Sequence, residues 1–269
     1  MATEHLLAER RAGVLYLTLN QPDKLNALSD QMIAGLLEEL GRAAHDTEVR
    51  CVVVTGAGRG FCSGGDVSRM RARNEAAGGG AEPTVEQRMA QLRRSEEVSL
   101  LLHEIPKPTI AAINGAAAGA GLSIALACDI RIAADTARLI TAFARVGFSG
   151  DFGGTWLMTR LVGPARAKEF YFLADPISAE QALALGLVNR VVAAAALSAE
   201  TEALAKRLAS GPSIAYGYMK ANINTALTAD LRTLLDREAV GQTLTGRTED
   251  HKEAVKAFLD KREPTFRGR

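Results

Sequence analysis

Cysteine and histidine are scarce in this sequence, and neither sign of charge predominates. Its 269 residues include three cysteines (Cys51, Cys62, Cys128) and four histidines (His5, His45, His103, His251). Three cysteines cannot all pair within one chain, and none forms a CxxC step, so reduced thiols in a cytoplasmic protein are expected. No two histidines make an HxxxH or HExxH pair, which removes the usual zinc signatures, and no metal is expected. Lysine and arginine number 32 against 31 aspartates and glutamates, for a net charge of +1. That balance argues against a broad basic face, so no nucleic-acid partner is expected. Residues 1–11 lack a signal-like apolar core, being interrupted by Glu4, Glu9 and Arg10. The uncharged stretch 108–128 is long enough to span a bilayer. It is mostly alanine and glycine, however, and Asn114-Gly115 breaks it with a turn signal. A buried strand, a tight turn and a buried helix are expected there instead of a membrane span.

What is present points to one large α/β domain. A hydrophobic share of 47% is that of a folded globular chain. Residues 14–19 (VLYLTL) and 51–55 (CVVVT) are strand-like runs, and residues 20–23 read as a turn. Met32, Ile33, Leu36, Leu37 and Leu40 repeat with helical spacing behind Ser29, a candidate N-cap. Residues 92–103 read as helix, 109–113 as strand, 119–127 as helix and 129–133 as strand. Helix patterns then cover 154–161, 165–173, 178–185, 194–209, 214–226, 231–244 and 251–261, with a strand at 188–192. Strands joined through helices imply largely parallel pairing. Residues 71–83 are polar and carry Gly78-Gly79-Gly80.

Two glycine-rich loops follow strands. The first, residues 55–66, reads TGAGRGFCSGGD. It fails the dinucleotide-binding pattern GxGxxG, because Phe61 or Ser63 stands where the last glycine belongs, and residues 68–74 are basic and polar. The second, residues 114–121, reads NGAAAGAG and leads into an apolar helix. Small residues leave backbone N–H groups open to a ligand, in the second loop at a helix N-terminus that favours negative charge. Two such loops are what an oxyanion hole needs.

The chain resembles the crotonase family, also called enoyl-CoA hydratase/isomerase, over nearly its whole length. The residues carrying the resemblance are Lys24-Leu25-Asn26-Ala27-Leu28, Phe61 through Asp66, Ile113-Asn114-Gly115 and Gly119-Ala120-Gly121. Ala127 through Arg131, Gly153-Gly154-Thr155, Ser178 through Ala182 and Gly186-Leu187-Val188 add to it. The resemblance implies a spiral of ββα turns over residues 1–195, holding an acyl-CoA site. It implies a helical region at 196–269 that builds trimers, commonly hexamers. It also implies a CoA thioester whose oxygen lies between the N–H groups of Gly65 and Ala120. Coenzyme A arrives as part of the substrate, and no separate cofactor is expected. CoA contacts would fall around Lys24, Ala27, Leu28, Ser63, Asp66 and Val67, with Phe258 and Lys261 supplied by a neighbouring subunit. Lys24 reads equally as a solvated turn lysine, and helix packing or solvation accounts as well for Phe258 and Lys261. Asp66 and Asp129 read as structural.

The resemblance also narrows the reaction. Hydratases of the family hold and activate water with two glutamates, and the matching positions here are Ser123 and Phe143. Neither serves as a carboxylate base. Asp151, before Gly153-Gly154-Thr155-Trp156, resembles the branch that contains 1,2-epoxyphenylacetyl-CoA isomerase and some enoyl-CoA isomerases. In that branch an aspartate moves a proton. Phe143, Val146, Phe148, Phe152 and Trp156 are expected to desolvate Asp151 and raise its basicity. Asp151 also suits an N-cap of the helix near Gly154, and Trp156 suits either the acyl pocket or plain core. Gly150 departs from the branch, which usually has proline there. An isomerase is the first expectation. A hydratase with a rebuilt water site and a non-catalytic acyl-CoA binder remain as alternatives.

Overall fold

The computed structural model describes residues 3–66 and 83–269. Val67 and residues 71–82 of the glycine-rich insertion lie outside the described residues. The chain opens with an antiparallel hairpin of β1 (Leu6–Arg11) and β2 (Val14–Leu19), in a register that sets Leu6 opposite Leu19. Ala12 and Gly13 both take positive φ at its turn, matching the twist of the strands. Helix α1 (Asp30–His45) begins at Ser29, whose hydroxyl accepts the Met32 N–H at 3.1 Å, and it buries Met32, Ile33, Leu36, Leu40 and Ala43.

Three ββα units follow. The first is β3 (Cys51–Gly56), β4 (Gly60–Cys62) and α2 (Val85–Glu104). The second is β5 (Thr109–Ile113), β6 (Ala116–Ala118) and α3 (Ala120–Ala127). The third is β7 (Ile130–Ala134), β8 (Arg138–Ile140) and α4 (Gly154–Leu173). The chain continues through β9 (Ile177–Ser178), α5 (Ala179–Ala184), β10 (Arg190–Val192) and α6 (Leu197–Ala209). It ends in α7 (Ser213–Ala226), α8 (Leu231–Thr245) and α9 (Glu249–Leu259). The first strand of each unit joins a sheet ordered β1-β2-β3-β5-β7-β10, and the second joins a smaller sheet ordered β4-β6-β8-β9. This is the expected ββα spiral, and it stacks the two glycine-rich loops side by side. No helix of the described residues is long and apolar enough to cross a membrane. The uncharged 108–128 stretch supplies β5, β6 and α3.

Several elements differ from the sequence reading. Helix α2 starts at Val85 instead of residue 92. Its first turns are exposed, the apolar Val85, Met89 and Leu92 included, and a capping box of Thr84 and Gln87 begins it. Strands β4, β6, β8 and β9 have two or three residues each, too short to show an alternation. Helix α4 is broken at Gly163, before Pro164, as the two separate helix patterns anticipate. Helix α6 packs Leu197, Leu204, Ala205 and Ala209 against Val14, Cys51, Val53, Ile110 and Ile132.

Helix α7 is tied down by the buried Lys220. Its ammonium donates to Leu102 O (2.8 Å), Lys107 O (3.2 Å) and Asp129 Oδ2 (2.8 Å). Burial lowers the Lys220 pKa, and Asp129 opposes that shift. Asp129 also accepts from the Thr109 N–H at 2.8 Å and the Thr109 hydroxyl at 3.0 Å. The carboxylate thus joins β5 to α7.

Candidate active site

The two glycine-rich loops meet where β4 and β6 run parallel. Gly64 lies at φ 83°, and a methyl group built on it would stand 3.2 Å from the Ala120 nitrogen. A methyl on Gly121 would stand 2.3 Å from the Cys62 carbonyl oxygen. The loops therefore interlock, leaving no room for side chains at these two positions. Ala120 is the first residue of α3, so its N–H has no acceptor within the helix. Neither the Ala120 nor the Gly65 N–H donates to any described residue. At Ala120 the helix dipole adds partial positive charge.

A strap formed by residues 24–28 lies against the first loop. The Leu28 N–H donates to Gly64 O at 2.8 Å, and Leu28 pairs with Gly65 in a parallel bridge. Ser63 is held at both ends of its residue: its N–H donates to Leu25 O at 2.9 Å and its hydroxyl to Lys24 O at 3.1 Å. Ala27 is buried, and its carbonyl accepts from Gln21 Nε2 at 2.9 Å. The fully buried Asn26 secures the strap by donating to Ala57 O at 2.9 Å and Gly60 O at 2.8 Å. Lys24 is 58% exposed and forms a 3.0 Å ion pair with Asp66. Asp66 thus holds the Lys24 side chain. Phe258, on α9, stands 83% exposed, and Lys261, just beyond α9, is also exposed.

Asp151 occupies the loop between β8 and α4. Its Oδ1 is buried and has no hydrogen-bond partner among the described residues. Burial, and secondarily the charge of Glu96, raises its pKa from 3.8 to about 6. The capping alternative fails, because the N-cap is Gly153 with no side-chain capping bond. The Gly154 N–H meets the Asp151 backbone carbonyl at 3.1 Å instead. Of the expected desolvating residues, Phe143 and Phe152 are 6% and 4% exposed. Val146 and Phe148 are corrections to the sequence reading: at 47% and 49% exposure they face outward. Gly150 sits at φ 116°, a conformation that proline's ring forbids, which accounts for the departure at this position.

Ser123 and Phe143 are both committed to packing. The buried Ser123 hydroxyl donates to Gly119 O at 3.2 Å, and its oxygen would lie 2.2 Å from a methyl on Gly154. Phe143 stacks on Tyr171 at 5.8 Å between ring centroids, and one of its ring carbons would lie 3.7 Å from a methyl on Gly119. Through these contacts the Asp151 loop is locked to the N-terminus of α3.

A cavity of about 520 Å³ adjoins the loop, with Glu96, Ser99, His103, Phe152, Trp156 and Asn224 in its wall. Trp156 is thus not plain core. It meets His103 edge-on at 5.3 Å and lies beneath the Arg160 guanidinium at 3.7 Å. Burial lowers the His103 pKa. Sequence reasoning missed Glu96 and Tyr171. Both sit in helices whose patterns give no sign of the loop they face.

A profile of the family described as "Enoyl-CoA hydratase/isomerase" matches residues 9–269. The chain is 42% identical over 266 residues to the "1,2-epoxyphenylacetyl-CoA isomerase" of Escherichia coli K12, with 99% of each chain covered. It is 36% identical over 265 residues to the "Short-chain-enoyl-CoA hydratase" of Clostridium acetobutylicum, with 97% of each covered. A solved enoyl-CoA hydratase from Bacillus anthracis superimposes with a TM-score of 0.89 at 32% identity, covering 98% of this chain and 100% of that one.

Proposed function

The chain belongs to the enoyl-CoA hydratase/isomerase family and is an acyl-CoA enzyme of that family; from this premise we propose that it shifts a double bond, or rearranges an enoyl or ring-containing thioester, without adding water. One observation carries the reading. The carboxylate of Asp151 is buried, unpartnered at Oδ1 and made more basic, while the two positions of the hydratase glutamates hold a serine and a phenylalanine engaged in packing.

The thioester oxygen binds between the Gly65 and Ala120 N–H groups. Removing a proton beside the carbonyl puts negative charge on that oxygen, and preorganised donors stabilise it there by a few kcal/mol, on the order of 3 for each donor. Asp151 takes a proton from C2 or C4, and the electron pair moves into the enolate. The same carboxyl group then returns a proton to the other carbon, so the carboxylate is regenerated and no atom is added. A pKa of about 6 suits this role, because the group is ionised at neutral pH yet basic enough to compete for the proton.

The strap at 24–28 and the loop at 63–66 form the CoA site, where Lys24 meets a phosphate by sharing or releasing its ion pair with Asp66. The chain assembles as a trimer or a dimer of trimers. Exposed Leu231, Leu235, Val240 and Leu244 on α8, with Phe258 and Leu259 on α9, support burial against another copy. Phe258 and Lys261 then contact CoA in the neighbouring subunit. A stable monomer by light scattering at micromolar concentration would contradict this assembly.

A second reading, water addition, draws on one observation: Glu96 sets a second carboxylate near Asp151. A turnover screen of 3-enoyl, 2-enoyl and ring-containing CoA thioesters, read by mass spectrometry, separates the two. Isomerisation leaves the mass unchanged, whereas hydration adds one water and would overturn the first reading.

A further inference from the structure

Glu96 lies on α2, far from Asp151 in sequence. Its carboxylate Oε1 accepts the Phe152 N–H at 3.2 Å. Phe152 is the residue directly after Asp151, and its φ of 50° is left-handed, a conformation uncommon for a bulky side chain. Gly153 follows at φ 72° and caps α4 with no side-chain bond. The loop thus enters α4 through two left-handed residues, with a cross-chain tie from Glu96 at the first. The other end of the tie is firm, because α2 buries Val98, Ser99 and Leu102.

We propose that Glu96 is a positioning residue for the reaction: by accepting the Phe152 N–H it fixes the backbone after Asp151 and aims the Asp151 carboxylate into the site. The proposal rests on the reading of Asp151 as the proton-transferring base. The choice of side chain separates this role from plain packing. A glutamine would accept the same N–H without setting a second negative charge near a buried aspartate. Glutamate does the opposite, and its charge favours the protonated form of Asp151. The tie therefore sets both the place and the strength of the base. Other titratable groups around Asp151 and the adjoining cavity are Arg93, His103 and Glu104 on α2, and Tyr171 and Arg160 on α4. From α7 and the turn after it the cavity wall takes Asn224, Thr225 and Thr228, none of which titrates.

The test compares wild type, Glu96→Gln, Glu96→Ala and Asp151→Asn in the full-length protein, after circular dichroism shows each to be folded. The first readout needs no substrate: the infrared band of the protonated carboxyl that disappears in Asp151→Asn, followed against pH. Its midpoint is expected near 6 in wild type, and lower by about half a pH unit or more in Glu96→Gln. The second readout is kcat and KM against pH with trans-3-hexenoyl-CoA. Glu96→Gln is expected to move the acid limb downward with the infrared midpoint. Glu96→Ala also loses the tie, and its plateau kcat is expected to fall by about 10- to 100-fold with KM little changed. Superimposable midpoints for wild type and Glu96→Gln would overturn the proposal, as would an unchanged kcat in Glu96→Ala. Full turnover by Asp151→Asn would instead overturn the reading of the base, so the two failures are distinguishable.

Discussion

Replacing Asp151 with asparagine should make the protein more stable while disabling it, and the gain should depend on pH. The carboxylate is buried with one oxygen unpartnered, and its pKa rises from 3.8 to about 6. A carboxyl group with a raised native pKa binds its proton more tightly in the native state than in the unfolded chain. Below pH 3.8 both states are protonated and the group is neutral to folding. Between 3.8 and about 6 the native state holds more protons, so stability falls as pH rises; above 6 the whole penalty is present. Roughly two pH units at about 1.36 kcal/mol each give an upper bound of about 3 kcal/mol. Residual solvent contact screens part of this, leaving about 1–3 kcal/mol. At an unfolding entropy of about 2.1 cal/mol/K per residue, that range raises Tm by about 2–5 °C. The assay is calorimetric melting of both proteins at pH 8 and pH 4. The gain should be present at pH 8 and vanish near pH 4. An asparagine variant less stable than wild type at pH 8, or a difference independent of pH, would refute the assignment of a desolvated, unpaired carboxylate.

Other expectations follow from the loops and the core. Gly65→Pro removes one of the two proposed thioester-oxygen donors and should lower kcat by about 10²- to 10³-fold in a folded protein; unchanged turnover would remove Gly65 from the site. Gly121→Ala drives a methyl group to 2.3 Å from the Cys62 carbonyl oxygen, so urea unfolding should show a loss of about 1–3 kcal/mol together with reduced kcat. Burial pushes the thiols of Cys51, Cys62 and Cys128 up to about 12. All three should resist Ellman's reagent in the native protein and react in guanidinium chloride; fast reaction of any thiol in the native state would place it at the surface.

The long periodic elements were legible because local pattern and burial agree in them. Ser29 caps α1 as its residue type suggests, and the apolar spacing from Met32 to Leu40 faces the core. Strand β1 carried no such signal, since beyond Leu6 its residues are half-buried or exposed. Strands β4 and β6 were hidden inside the glycine-rich loops, whose small residues reflect close approach between chain segments. The two glycine-rich loops and Asp151 were visible as motifs, whereas the capping alternative for Asp151 could be removed only by the backbone at Gly153. Glu96 was not legible. It lies in a charged, largely exposed stretch of helix, and its partner is the Phe152 N–H, 56 residues away. The outward turn of Val146 and Phe148 was likewise invisible, because an apolar residue in a loop carries no sign of its direction.

The most direct measurement of the central claim is exchange of the substrate α-proton in deuterated water, for wild type against Asp151→Asn, with the products weighed by mass spectrometry. The account predicts that wild type exchanges the proton and shifts the double bond of trans-3-hexenoyl-CoA without adding water. Both rates should fall by about 10²- to 10⁴-fold in the variant. Exchange and isomerisation at the wild-type rate in Asp151→Asn, or a wild-type product heavier by one water, would contradict it.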